Sequence, residues 1–87
     1  MRKIRMSKIN EILDLLQEEC AEVVQAVSKC RRFGLEDKRA DLIQELGDVT
    51  LLIGLLKAHG LYTDAELHTA ELVKSNKLTK WSTIYEN

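Results

Sequence analysis

Four carboxylates carry the chemistry this chain could do. Glu19 and Glu22 lie three residues apart in the segment LQEECAEVV, and Glu45 and Asp48 repeat that step in QELGDV. Residues three apart project from one side of a helix. If the two segments pack antiparallel, the pairs come face to face and four negative charges converge. Such a group repels itself strongly unless a cation sits among it. Mg²⁺ suits hard oxygen ligands, keeps several waters, and commonly bridges carboxylates to phosphates. Spacing alone is a weak signal: Glu11 and Asp14 share it and read as a solvated face. The setting of the second pair is more selective. Glu45 lies among Leu42, Leu46 and Val49, Asp48 is followed by Leu52, and both acids sit in the run LIQELGDVTLLIGLL. An unpaired carboxylate in apolar surroundings needs a partner or a route to water.

Helices must position these acids. From Ile9 to Cys30 apolar residues recur mostly at three- and four-residue steps, the period of an amphipathic helix. Ser7 is the expected cap at its start, and cations followed by Gly34 mark its end. A second helix, with Asp37 as its expected cap, runs to the stop at Gly60. It is apolar almost all round from Val49 to Leu56, more than one neighbouring helix can cover. Thr63 to Glu66, TDAE, is a capping box opening a third helix through Ala65, Leu67, Ala70, Val73 and Leu78. The joints are short, so adjacent helices should be antiparallel. The expected fold is all-α: an antiparallel helical hairpin plus a third helix beside it, completed as an oligomeric bundle. One domain over residues 1–87 is expected, with 1–6 a frayed end and 81–87 a tail. Gly47 inside the second helix reads either as close approach to the backbone or as tight helix packing; Gly54 reads as packing.

Composition excludes several classes. Thirteen basic against fourteen acidic residues leave a net charge of −1, without the basic footprint of a nucleic-acid-polymer binder. No apolar run reaches the ~18 residues of a membrane span. Charges recur through the first thirty residues, so no signal peptide is expected. Cys20 and Cys30 fall about 15 Å apart along one helix, too far for a bridge, and read as buried reduced thiols of a cytoplasmic protein. There is no Ser–His–Asp or Cys–His arrangement and no Walker-type glycine loop. His59 and His68 read as helix-end or surface residues.

EECAEVVQAVSKCRRFG followed by LIQELGDVTLLIGLL resembles the MazG-like all-α nucleoside triphosphate pyrophosphohydrolases, in the short form found in bacteria and their phages. Their pattern is E-x-x-E, a variable interval, then E-x-x-D. Here those positions are Glu19, Glu22, Glu45 and Asp48, with the twenty-two residues Val23 to Gln44 between them. The resemblance implies hydrolysis of a nucleoside triphosphate, often a deoxynucleotide, to monophosphate and pyrophosphate. It implies Mg²⁺, with Mn²⁺ as a substitute, held by those four acids, with Glu18 or Glu22 orienting the attacking water. It also implies a homodimer or homotetramer whose substrate contacts come from more than one chain.

Lys29 stands two turns from Glu22 on the same face, where relatives carry a basic residue, and Arg32 lies one turn further. The segment LVKSNKLTKW resembles the family's later Lys/Asn/Arg stretch but lacks the arginine expected after Asn76, leaving Lys74, Asn76 and Lys77 as candidate substrate contacts. Trp81 is a candidate base-stacking ring, with an interface anchor as its alternative. Two rival functions are a non-catalytic helical oligomer that kept the fold and a phosphoribosyl-ATP pyrophosphohydrolase. The implied location is the cytoplasm of a bacterium, or of its host if the chain is phage-encoded.

Overall fold

A computed structural model describes residues 6–87; residues 1–5 of the expected frayed end at 1–6 lie outside them. Three helices follow one another: α1 (Met6–Phe33), α2 (Leu35–Ala58) and α3 (Asp64–Trp81), with no strand among the described residues. Met6 and Ser7 are already helical, so Ser7 lies within α1 and is not its cap.

A single residue joins α1 to α2. Gly34 takes φ 103°, a left-handed conformation that costs glycine little. Its N–H donates to the Cys30 carbonyl at 2.9 Å, closing α1, and its own carbonyl accepts from the Lys38 N–H at 3.3 Å. Gly34 is thus both the stop of one helix and the cap of the next, and α2 has no side-chain cap. Asp37, the expected cap, stands in the first turn of α2 with Glu36. There the two carboxylates complement the positive end of the helix dipole without capping it.

So tight a joint folds α2 back along α1. Ile9 and Ile12, near the start of α1, pack with Leu52 and Leu56, near the end of α2, and Leu16, Leu55 and Tyr62 close around them. At the other end Ala26 and Cys30 are buried. The Tyr62 hydroxyl donates to the Ile53 carbonyl at 2.7 Å, and Lys57 pairs with Asp64 at 2.6 Å, which together fix the turn after α2. The Thr63–Glu66 capping box is formed in both directions.

α3 is the expected third helix. It buries none of its residues, and the contacts that hold the chain together run between α1 and α2. The described residues measure 45 × 29 × 15 Å. α3 leaves the outer faces of the hairpin largely uncovered within this chain. Leu51, Leu72, Val73, Trp81 and Ile84 are accordingly exposed. A methyl group added at Gly54 would meet nothing within 4 Å, so Gly54 packs against no neighbour in this chain. Cys20 is exposed, not buried; only Cys30 is a buried thiol. The tail turns back toward α3, with the Ser75 hydroxyl donating to the Tyr85 hydroxyl at 2.9 Å.

Candidate metal and nucleotide site

The hairpin brings three of the four acids together. Glu19 from α1 and Glu45 and Asp48 from α2 each offer an oxygen, and these oxygens lie within 4.8 Å of one another. All three side chains are half-buried. Antiparallel packing explains the meeting: Glu19 sits one turn beyond the Ile9–Leu16 contacts, and Glu45 and Asp48 sit just before Leu52 on the facing stripe of α2. Glu22, one turn further along α1, is exposed and stands outside this group. It shares a neighbouring groove with Glu45.

The three carboxylates act on one another electrostatically. The Glu19 carboxyl is held above its ordinary value of 4.5, first by desolvation between the helices, then by repulsion from Asp48 and Glu45. The closeness of the Glu45 carboxyl, and the charge of Glu22, push the same way. Glu45 Oε2 is buried without a hydrogen-bond partner. Such an orphan acceptor costs free energy in the bare protein and is a ready ligand for a cation. Asp48 is better provided, since Gln44 Nε2 donates to its Oδ1 at 2.9 Å. The donor set is all carboxylate oxygen, the hard type that Mg²⁺ and Mn²⁺ take. The residues present therefore fit a divalent cation.

A pH dependence follows. Because folding raises the Glu19 value, the folded chain binds that proton more tightly than the unfolded chain does. Without metal, this group's contribution to stability is full below 4.5 and is lost as pH rises through the higher folded value. Thermal midpoints of the metal-free protein should show that fall, and Glu19→Gln should flatten it. The stabilisation gained on adding Mg²⁺ should grow over the same window, since the ligands must be ionised. A metal-free midpoint that rises with pH there, unaltered by Glu19→Gln, would contradict the reading of this cluster.

Two depressions flank the acids. One, of about 250 Å³, is lined by Leu15, Glu19, Asp48, Leu51 and Leu52. The other, of about 170 Å³, runs toward the Gly34 turn between Glu22, Gln25, Ala26 and Lys29 on α1 and Lys38, Asp41, Gln44 and Glu45 on α2. Lys29 thus reaches the acids' own groove. Arg32 lies beyond it, around a shallow depression shared with Lys29, and its guanidinium stands 5.1 Å from the Phe33 ring centre. Lys74, Asn76, Lys77 and Trp81 line neither flanking depression. Lys74 faces a separate hollow on α3 with His68 and Tyr85. Trp81 closes α3 with 85% of its surface exposed.

Comparison with known families decides the affiliation. The family model described as the MazG nucleotide pyrophosphohydrolase domain matches residues 7–79, all but a few residues at each end. The chain belongs to the MazG family. No curated protein and no solved structure gives a significant match. A MazG domain is all-α and metal-dependent, and membership indicates action on nucleotides as a pyrophosphohydrolase. No helix among the described residues is long and apolar enough to cross a membrane.

Three further residues contact the acids or line the depressions beside them without standing out in the sequence. Gln44 is four residues before Asp48, a spacing at which Gln and Asp side chains pair on one helix face. Lys38 is seven before Glu45, two turns along the same face. Leu15 is four before Glu19. All three signals were present as spacings, but nothing in composition singles them out from other polar or apolar helix residues.

Proposed function

We propose that this chain hydrolyses a nucleoside triphosphate, a deoxynucleotide by preference, to the monophosphate and pyrophosphate in a Mg²⁺-dependent reaction. The observation that carries the reading is the convergence of Glu19, Glu45 and Asp48 with a buried Glu45 oxygen left unpartnered, in a chain of the MazG family. When bound, Mg²⁺ supplies charge neutralisation for the triphosphate and a lowered pKa for a coordinated water. Glu19, Glu45 and Asp48 hold the cation, and Mn²⁺ can replace it. Gln44 fixes the Asp48 carboxylate through its amide. Glu22, beside Glu45 but outside the three-acid cluster, is the carboxylate placed to orient the attacking water and take its proton. Lys29 neutralises phosphate oxygens in the adjoining groove.

The active form is a homodimer or homotetramer working in the cytoplasm. The open apolar faces of α2 and α3 support assembly. Lys74, Asn76, Lys77 and Trp81, remote from the acids' depressions within one chain, act on the substrate from a second copy. The deciding experiment incubates the protein with a panel of dNTPs and NTPs and Mg²⁺ and resolves the products. Monophosphate with pyrophosphate supports the reading. Orthophosphate alone would overturn the bond assignment, and no product from any substrate would favour a non-catalytic oligomer.

A further inference from the structure

The groove beside the acids has a polarity of charge that the four-acid pattern does not account for. Lys29 on α1 and Lys38 on α2 line it from opposite sides. Lys29 is seven residues past Glu22 and Lys38 seven before Glu45, so each amine springs from a point about 10 Å along the hairpin from its acid. A lysine's four-carbon stem spans much of that gap. Lys38 is half-buried, and its Nζ sits 5.6 Å from the centre of the Phe33 ring, which holds the amine at the turn end of the groove. Lys29 forms no ion pair among the described residues, although Glu22, Asp41 and Glu45 line the same groove. Residues 29–39 carry five cations against two acids, so cations are concentrated around Gly34. On the other side of the acids the lining is apolar, with Leu15, Leu51 and Leu52.

We infer that Lys38, facing Lys29 across the groove, binds the two terminal phosphates of the substrate, so that the triphosphate points toward the Gly34 turn and the nucleoside toward Leu15 and Leu51. The inference rests on the triphosphate reading of the site and gives it a direction. Water oxygen bonds to the α-phosphorus and its proton passes to a carboxylate. The bond from that phosphorus to the α–β bridging oxygen breaks, and the electron pair leaves with pyrophosphate. Lys38 and Lys29 bind the departing group and offset its growing charge. Lys38 is thus a substrate-contacting residue for the leaving group, while the apolar hollow meets the base or sugar.

Calorimetric titration of the full-length protein with pyrophosphate and with a nucleoside monophosphate, both in Mg²⁺, separates the two ends. Lys38→Met keeps the stem over Phe33 and removes the charge. It should weaken pyrophosphate binding by roughly tenfold or more, as expected for a lost charged hydrogen bond, and leave monophosphate binding within about twofold. Lys38→Arg should restore most of the loss, and circular dichroism should show unchanged helix content in both variants. Unchanged pyrophosphate binding in Lys38→Met, or a loss confined to the monophosphate, would overturn the inference. Turnover assayed in parallel keeps the two readings apart. A wild-type protein that releases no pyrophosphate sinks the catalytic reading, whereas the titration still decides the clamp.

Discussion

Asp48→Asn is expected to abolish pyrophosphate release, by roughly 10³-fold or more, while the protein stays folded. Losing one of three ligands removes several kcal/mol of metal-assisted stabilisation of the transition state, and each ~1.4 kcal/mol is a factor of ten in rate. The fold should survive because the substituted amide retains an acceptor oxygen for the Gln44 side chain, whose Nε2 lies 2.9 Å from Asp48 Oδ1. The exchange also removes a negative charge that opposes ionisation of Glu19, so the metal-free protein should melt no earlier than wild type. Product chromatography, circular dichroism and a sedimentation profile on one preparation test all three parts. Retained activity would take Asp48 out of the ligand set. Unfolding would make the acid structural.

Glu45→Gln should show effects of opposite sign with and without metal. Glu45 Oε2 is buried and unpartnered, and its charge raises the Glu19 value. In the bare protein a glutamine removes that charge and offers Glu19 a donor, so the thermal midpoint should rise. With Mg²⁺ or Mn²⁺ the same exchange removes a ligand, and cation affinity should fall by about 10–100-fold or more, the range for groups that merely support ligands. Wild type should therefore gain thermal stability on adding the cation and Glu45→Gln should gain little. A variant destabilised in both conditions would mean that Glu45 packs the hairpin and does not hold a cation.

Local patterns in the sequence were enough to predict the hairpin that carries the acids, because the features that form it are short-range. The three-residue steps Glu19–Glu22 and Glu45–Asp48 and the stop at Gly34 put both pairs on one hairpin, and that hairpin forms. The capping box at Thr63 was equally readable and is present. What escaped the pattern depends on the geometry of the turn and on what lies outside one chain. A one-residue joint made Gly34 the cap of α2 in place of Asp37, since the glycine carbonyl already accepts the first bond of the new helix. Periodicity marked Cys20 as apolar, yet one antiparallel partner covers only a narrow stripe of α1 and leaves that residue outside it. The same limit explains α3. Its apolar positions at Leu67, Leu72 and Val73 stay exposed because α3 makes few contacts with the hairpin. Lysines are ambiguous for another reason: their spacing is compatible with a solvated face, and only the groove between the helices distinguishes Lys29 and Lys38 from the rest.

The most direct measurement is anomalous diffraction from crystals grown with Mn²⁺ and a non-hydrolysable triphosphate. A manganese peak is expected within about 2–2.5 Å of carboxylate oxygens from Glu19, Glu45 and Asp48, with the phosphate chain extending toward Lys29 and Lys38. Manganese bound elsewhere, or no peak between α1 and α2 while the nucleotide is present, would contradict a cation site built from these three acids.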